Sequence, residues 1–434
     1  RLMKEIRLEN FRCYTELSIP LKSRVNLLVG ANATGKTSVL RACKFVLSAF
    51  FSGFSDDNTK WVNPGNEDFM QMETGGILLQ ERPIHISFDV ADVMGKEADS
   101  TGGDSFYTLI KKSKKNSRSL TSGLKEYKDW AALLMHNYIS KEGQRIALPL
   151  FANFSTEDIH AIRKIDFGKF KEYNHKPSFG YYECLEGDGF FPYWIKRLLV
   201  LQEGRENHLE IDIVRKAIQK ALGAGGCAII QDMEVRPIRK KVYYILMDGR
   251  EVEADFLSDG YRRLVYIVTD LAFRCALLNR GIYGEETCAK TRGTVLIDEV
   301  DLHLHPTLQS VVLKGLCEAF PGLQFIVSSH APMVMSGVES NEENIVYKLS
   351  YSEEQGYRIM PTVTYGMDMS TLTYVVLGQT PRAVEVDRQL NELFELIDVD
   401  RLKEAGDLLR KLRGKYGDSL PELARAEAML NCLI

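Results

Sequence analysis

An α/β fold built around a phosphate-binding loop is predicted by three observations. Apolar segments of strand length end at a glycine or at carboxylates, at Val25–Gly30 and Val295–Asp298, which is typical of buried strands. From Thr37 to Phe51 the apolar spacing becomes helical. The loop Gly30–Thr37 joins the first strand to this helix and matches G-x-x-x-x-G-K-[ST] completely.

The composition is that of a soluble globular protein with room for two to four domains. The 434 residues are 45% hydrophobic and 26% charged, which excludes wholesale disorder. The net charge of −4 excludes a uniformly basic nucleic-acid coat but not a local basic patch. We expect no membrane span and no signal peptide, because no long apolar window occurs. The eight cysteines include no Cys-x-x-Cys pair, which favours a reducing cytoplasm over disulfides or zinc.

The first half of the chain is predicted to contain short strands separated by loops. Residues 5–9 and 84–90 alternate polar and apolar side chains, as half-buried strands do. Residues 52–76 and 96–123 are rich in loop-forming residues. The second of these loops carries five basic residues within 111–118, which either form a solvated surface or contact a phosphate backbone.

Helices dominate the predictions for the remaining chain. The Asp248-Gly249 pair predicts a hairpin with a type I′ turn between two alternating segments. The other predicted elements are helical, aromatic-rich segments in 156–224, a helix with an apolar stripe over 264–278, a buried strand at 325–328, and helices at 389–412 and 421–430.

The glycine-rich loop has the residue types that bind a nucleotide triphosphate. Its glycines let backbone N–H groups surround the β-phosphate, and the following helix N-terminus adds positive potential. Lys36 can bridge the β- and γ-phosphates, and the Thr37 hydroxyl can ligate Mg²⁺. The alternative is an accidental glycine-rich turn. The residues expected to bind ATP here are Gly30, Asn32, Gly35, Lys36, Thr37 and Ser38.

Candidate catalytic groups follow two of the predicted strands. Asp298 would hold Mg²⁺ together with Thr37, and Glu299 would orient or deprotonate the attacking water. His330 follows the strand at 325–327 and could reach a γ-phosphate, although a lone histidine there could equally be structural.

A second anion site is predicted where the 264–278 helix begins. Ser258 lies near the helix N-cap, and Gly260 would leave the backbone open to a ligand. An ordinary capping serine is the alternative interpretation.

The order of these motifs resembles the ATP-binding-cassette (ABC) ATPases. The segment Ile6–Arg12 followed by Gly30-Ala-Asn is similar to the chromosome-maintenance and repair branch, which includes SMC, RecF and overcoming-lysogenization-defect proteins. The resemblance implies a P-loop NTPase head over 1–365, an inserted helical lobe at about 91–225, and a C-terminal helical, partner-binding region over 366–434. It also implies ATP and Mg²⁺ as cofactors, with Arg12 and Phe11 near the adenine.

Three later segments narrow the resemblance to the PtuA ATPases of Septu anti-phage systems and to retron-linked ATPases. These segments are 298–306, 328–332 and 365–378, although Val300 replaces the proline usual in the wider class. The resemblance implies a cytoplasmic, slow, regulatory ATPase with no membrane partner. Its implied partners are a second copy in a head-to-tail dimer or higher multiple, a separately encoded PtuB-like HNH nuclease, and DNA through that complex.

In such a dimer, each ATP would lie between Lys36 of one subunit and Ser258 and Gly260 of the other. Two apparent nuclease motifs, His303-x-His305 and Asp398-x-Asp400, are interpreted as coincidental. The alternatives are a RecF-like DNA-repair ATPase, a self-contained ATPase-nuclease of the overcoming-lysogenization-defect type, and, as a distant third, a transporter cassette.

Overall fold

The computed structural model describes residues 2–71, 73–74, 77–78, 81–91, 106–116, 118–156, 176–187, 189–204 and 209–433. The chain divides into two compact units, Arg1–Leu372 and Thr373–Ile434, which we call the head and the tail.

The strands are β1 (Met3–Phe11), β2 (Tyr14–Pro20), β3 (Val25–Val29), β4 (Glu73–Thr74), β5 (Ile77–Leu78), β6 (Ile84–Val90), β7 (Tyr107–Lys111), β8 (Ile139–Ser140), β9 (Gly143–Gln144), β10 (Leu150–Phe154), β11 (Ile230–Arg236), β12 (Lys241–Leu246), β13 (Glu251–Glu253), β14 (Gly293–Ile297), β15 (Leu323–Ser329), β16 (Asn344–Ser352) and β17 (Gly356–Thr362).

The α-helices are α1 (Lys36–Ala49), α2 (Lys125–Asn137), α3 (Phe191–Glu203), α4 (Leu209–Leu222), α5 (Asp259–Tyr283), α6 (Thr287–Lys290), α7 (Pro306–Gln309), α8 (Val312–Ala319), α9 (Pro332–Ser336), α10 (Met369–Val375), α11 (Val384–Asp398), α12 (Leu402–Tyr416) and α13 (Pro421–Leu433).

A six-stranded sheet in the order β10-β14-β15-β3-β16-β17 forms the centre of the head. Its first five strands are parallel, and β17 pairs antiparallel with β16. Every residue of β3, β14 and β15 is buried, which explains why these segments are mostly apolar rather than alternating. Because these strands are parallel, their carboxyl ends lie at one edge, where the loop after β3 and the segments after β14 and β15 meet.

A second, antiparallel sheet has the order β2-β1-β6-β7. Strand β7 lies inside the segment 96–123, which the sequence predicted to be a loop, and that prediction is wrong here. Tyr107, Leu109 and Lys111 alternate as buried residues, so the lysine counted as basic loop surface ends a strand instead. Of the same basic run, Lys114 lies 3.9 Å from Glu81.

The interval 91–225, in which the sequence predicts an inserted lobe, also supplies β10 to the main sheet. β10 pairs in parallel with β14 from Leu150↔Gly293 to Phe154↔Ile297. Further along, α3 and α4 carry a buried ion pair between Arg197 and Glu210, 2.9 Å apart. Residues 92–105 and 157–175 of this interval lie outside the described residues.

The predicted hairpin is present as β12 and β13, with β11 on its other side. The turn differs from the type I′ prediction, because only Gly249 of the central pair has a positive φ, at 87°. The Leu246 N–H donates to the Arg250 carbonyl, so three residues connect the strands. This is the three-residue connection in which glycine takes the left-handed position.

The long helix α5 spans 25 residues and packs against the central sheet and α4. The middle of this helix is buried on every face. There Asp270 forms a buried ion pair with Arg274, with 2.8 Å between the carboxylate oxygen and Nε. Within the described ranges, no helix combines the length and apolar character needed to cross a bilayer.

The tail is a bundle of α11, α12 and α13 with its own hydrophobic core. The apolar residues of the predicted helical segment 389–412 are buried or partly buried within this bundle. They face each other and the apolar face of α13. The core residues are Leu390, Leu393, Ile397, Ala405, Leu409, Leu412, Leu423, Ala426 and Leu430.

Candidate nucleotide-binding site

The glycine-rich loop lies between the end of β3 and the first turn of α1, as the sequence predicts. Gly35 has φ 92°, and a Cβ at this position would come within 2.2 Å of the Tyr14 hydroxyl oxygen. That hydroxyl donates to the Gly35 carbonyl across 3.1 Å. The second glycine of the motif is therefore required both by its backbone conformation and by the close approach of Tyr14.

Lys36 is the cation of the loop. Its Nζ donates to the carbonyl oxygens of Gly30 and Ala31, each at 2.7 Å. Burial lowers the pKa of the Lys36 ammonium, and the nearby carboxylates of Asp298 and Glu299 oppose this shift. The loop thus holds a cation at its centre with carboxylates opposite it.

Asp298 links residues at the ends of four neighbouring strands, β10, β14, β15 and β3. Its Oδ2 accepts hydrogen bonds from Thr37 Oγ1 at 3.4 Å and from Thr156 Oγ1 at 3.2 Å. Its Oδ1 accepts one from Ser328 Oγ at 2.5 Å. Carboxylate and hydroxyl oxygens are the donors that Mg²⁺ prefers, so the pairing of Thr37 with Asp298 fits the metal implied by the resemblance.

Glu299 lies in a constrained turn just after β14. Its φ is 47°, and its N–H donates to Ser328 Oγ at 2.9 Å. Arg263 of α5 stabilises the same turn. Its guanidinium donates hydrogen bonds to the carbonyls of Glu299 and Asp298, the latter at 2.7 Å. The sequence analysis assigned no role to Arg263. A charged residue at the start of an otherwise apolar helix stripe was the one feature of the sequence that could have indicated such a role.

His330 follows β15 and is half exposed at the same edge. Its Nδ1 lies 3.8 Å from the carboxylate of Asp301. Asp301 is itself buried and accepts a hydrogen bond from Ser329 Oγ at 2.6 Å. The imidazole therefore lies beside a buried carboxylate, beyond hydrogen-bond distance, and about half of its surface remains accessible.

These groups surround one cleft of about 340 Å³. It contains most of the residues predicted for the phosphate loop and for catalysis. It also contains Cys13 and Tyr357, which the sequence analysis did not assign; burial raises the pKa of the Cys13 thiol and keeps it neutral. The lining residues are Cys13, Asn32, Ala33, Thr34, Gly35, Lys36, Thr37, Ser38, Asp298, Glu299, His330 and Tyr357.

Ser258 and Gly260 are not among the described residues that line this cleft. Ser258 is exposed and caps α5, where its Oγ accepts the Tyr261 N–H at 3.4 Å. Gly260 is buried, and a Cβ there would lie 2.5 Å from the His303 carbonyl oxygen. Close packing against the segment after Glu299 is therefore one reason for this glycine, in addition to the open backbone that the sequence suggested.

The residues expected near the adenine are also outside the described lining of the cleft. Phe11 is buried in the core, with no exposed surface. Arg12 has φ 49°, and its Nε donates to Asp68 at 3.0 Å. Asp68 also accepts from Arg41 at 2.6 Å, so the Arg12 guanidinium belongs to a charge cluster beside the β1–β2 turn.

Comparison with protein families gives a match over residues 2–351 to the RecF/RecN/SMC N-terminal domain. The chain belongs to this family. The predicted ABC-type P-loop fold and the resemblance to the SMC and RecF branch are thereby confirmed. The family match covers the phosphate loop and the carboxylate and histidine segments of the cleft, and it ends before Tyr357.

Two relatives are similar to this RecF/RecN/SMC family member along most of the chain. The Retron Vc95 probable ATPase of Vibrio cholerae serotype O1 biovar El Tor is 24% identical over 403 residues, covering 80% of this chain and 74% of that protein. The Septu protein PtuA of Bacillus thuringiensis is 22% identical over 426 residues, covering 93% and 92%. The narrower resemblance to PtuA is confirmed.

Among solved structures, the crystal structure of the SmcHead bound to the C-winged helix domain of ScpA covers 84% of this chain and 98% of that chain. Its TM-score is 0.46 at 14% sequence identity.

Proposed function

We propose that this chain is the ATP-binding and ATP-hydrolysing subunit of an anti-phage defence complex. The observation that carries the ATPase assignment is the convergence of Lys36, Thr37 and Asp298 on one cleft. The similarity of this chain to a Septu protein PtuA and to a retron ATPase, along most of its length, supports the defence role.

The cleft residues divide the work of hydrolysis among them. Lys36 and the loop N–H groups bind the phosphates, and Thr37 and Asp298 would hold Mg²⁺, which supplies charge neutralisation of the phosphate oxygens when bound. Glu299 accepts a proton from the water that attacks the γ-phosphorus. His330, which lines the cleft and lies near Asp301, is the proposed hydrogen-bond donor to the γ-phosphate.

The second half of each site would come from another copy of the chain. Ser258 is exposed at the N-terminus of a 25-residue helix, yet it lies outside the described lining of the cleft that contains Lys36. A head-to-tail dimer would place this serine and the neighbouring N–H groups against the phosphates bound by the partner. ATP then stabilises the interface, and hydrolysis weakens it.

The output of this cycle would be control of a separately encoded, PtuB-like HNH nuclease, with DNA bound through the complex in the cytoplasm. In this proposal the ATPase is slow and regulatory and does not cut DNA itself. The tail is the proposed docking region. Deleting residues 384–434 removes the whole three-helix bundle and should abolish co-purification with the product of an adjacent HNH nuclease gene. Continued co-purification at full yield would place the docking site on the head.

The ATPase assignment is tested by Lys36→Ala. This change should abolish ATP binding in titration calorimetry, because the phosphates lose their main cation. Val399→Ala changes an exposed residue of the tail and serves as the matched control. ATP binding by Lys36→Ala with the wild-type Kd would contradict the proposed function.

A further inference from the structure

The cleft has two chemically different ends. Strands β15 and β14 lie on one side of β3, and β16 and β17 lie on the other. Asp298, Glu299 and His330 follow β14 and β15, so the carboxylates and the imidazole are all on the first side of the loop. Tyr357, at the start of β17, is on the second side, and apart from His330 it is the only ring among the described lining residues.

The register of the hairpin brings Tyr357 to this edge. Strand β16 runs parallel to β3 with Lys348 opposite Val29, the residue that precedes the phosphate loop. The hairpin continues past this point, and Tyr351 of β16 pairs directly with Tyr357 of β17. The hairpin therefore projects beyond the sheet beside the phosphate loop.

Two other tyrosines fix the position of the Tyr357 ring. Tyr14 is buried and meets it edge-on, with ring centroids 5.8 Å apart and an interplanar angle of 66°. Tyr351 is 55% exposed, and its ring centroid lies 4.7 Å from that of Tyr357 at an interplanar angle of 43°. Because Tyr14 also donates to the Gly35 carbonyl, the ring and the phosphate loop are tied to the same side chain. A ring held in this way loses little conformational freedom when a flat ligand stacks on it.

We propose that Tyr357 is the stacking surface for the base of the bound nucleotide. The inference rests on the proposed ATP-binding function. With the γ-phosphate directed to Asp298, Glu299 and His330, the nucleoside end of the ligand extends toward β17. Aromatic side chains bind bases by stacking, and every base offers a π-face to them. Arg12 and Phe11 do not compete for this role, because one is held by Asp68 and the other is buried.

The test compares two ligands that share the phosphates but not the base. The Kd of ATP and the Kd of inorganic tripolyphosphate are measured by calorimetry with Mg²⁺ for the full-length wild type, Tyr357→Ala and Tyr357→Phe. We expect Tyr357→Ala to weaken ATP about 10- to 100-fold while changing tripolyphosphate less than about 2-fold. Tyr357→Phe keeps the ring and should bind ATP within about 3-fold of wild type.

Other outcomes contradict the inference in distinguishable ways. If Tyr357→Ala weakened the binding of ATP and of tripolyphosphate equally, the tyrosine would only support the phosphate loop. Unchanged ATP affinity would mean that the base lies elsewhere, although the ATPase assignment would stand. A wild-type protein that binds neither ligand would overturn the proposed function and the base site together. Thermal unfolding without ligand shows whether each variant is folded. The tryptophan fluorescence of Tyr357→Trp provides a second readout of stacking, because we expect ATP to quench it and tripolyphosphate to leave it unchanged.

Discussion

At the scale of single residues, Glu299 separates nucleotide binding from chemistry. Glu299→Gln keeps the size and hydrogen-bonding capacity of the side chain but removes the base. We expect turnover to fall by about 10²- to 10⁴-fold while ATP still binds. The backbone of the turn should be preserved, because Arg263 and Ser328 hold main-chain atoms of Glu299 and not its carboxylate. Steady-state phosphate release with a parallel ATP titration measures both effects, and wild-type turnover would remove Glu299 from the mechanism.

The residues of the cleft were the part of the site that could be predicted best from the sequence. The loop motif specifies residue types at fixed spacing, and Asn32, Gly35, Lys36, Thr37 and Ser38 all line the cleft. The carboxylates and His330 were found because each directly follows an apolar strand, and parallel strands bring their carboxyl ends together.

Residues that act through long-range packing were not accessible in this way. Tyr357 reaches the cleft through the pairing of β16 with β3, which no local pattern encodes. Arg263 contacts main-chain carbonyls 35 and 36 residues away, and such acceptors leave no signature in the sequence.

At the scale of elements, the start of α5 and the segment after β14 are packed as one unit. Gly260→Ala would place a Cβ 2.5 Å from the His303 carbonyl oxygen. Because that neighbour is backbone, we expect a loss of about 1–3 kcal/mol in the free energy of unfolding, together with loss of ATPase activity. Chemical denaturation and phosphate release measure the two effects.

Gly414→Ala in α12 is the matched control for this prediction. Gly414 has no atom within 4 Å of an added Cβ, so this change should be neutral or stabilise by about 0.5–1 kcal/mol. If Gly260→Ala were as stable and as active as Gly414→Ala, the close packing of α5 against His303 would not exist in solution.

The tail core gives a second prediction at this scale. Leu393 is fully buried among α11, α12 and α13, so Leu393→Ala should destabilise the bundle by about 2–5 kcal/mol. Leu433→Ala removes the same atoms from a side chain that is 51% exposed and should cost much less. Amide hydrogen exchange across 384–433 measures the difference. Equal exchange in the two variants would mean that the tail core is not formed.

Helices and strands were predicted well where one hydrophobic period dominates the segment. They were predicted poorly where the hydrophobic pattern and the loop-like composition of the segment conflict. β3, β14 and α1 follow from apolar runs and helical spacing. β7 was hidden because its last residue, Lys111, counted toward a basic loop, although its alkyl stem is buried. β10 is a five-residue strand, apolar except for Asn153, and its partner β14 lies more than a hundred residues later in the chain, so local sequence patterns do not reveal that it joins the main sheet.

At the scale of the whole molecule, we propose that two copies of the chain share each nucleotide. Lys36 and Ser258 then belong to different sites although one chain carries both. Ser258→Arg places a bulky cation where the partner's phosphates should approach, and it leaves the chain's own phosphate loop intact. Ser258→Arg and Lys36→Ala should therefore each be nearly inactive when assayed alone.

Mixing these two variants should restore activity, because about half of randomly paired dimers are mixed and each mixed dimer has one complete site of two. About a quarter of the wild-type turnover is then expected if the sites act independently and subunits exchange. Steady-state phosphate release from the mixture measures it, with each variant alone at the same total concentration as the control.

The most direct test removes hydrolysis and measures assembly. In a Glu299→Gln background, the molar mass with saturating ATP is determined by light scattering for the Lys36→Ala protein, the Ser258→Arg protein and their equimolar mixture. A shared site predicts dimers for Glu299→Gln alone, monomers for each double variant, and dimers again in the mixture, held by one complete site. A Ser258→Arg protein that dimerises as fully as its parent, or a mixture that remains monomeric, would contradict the shared site.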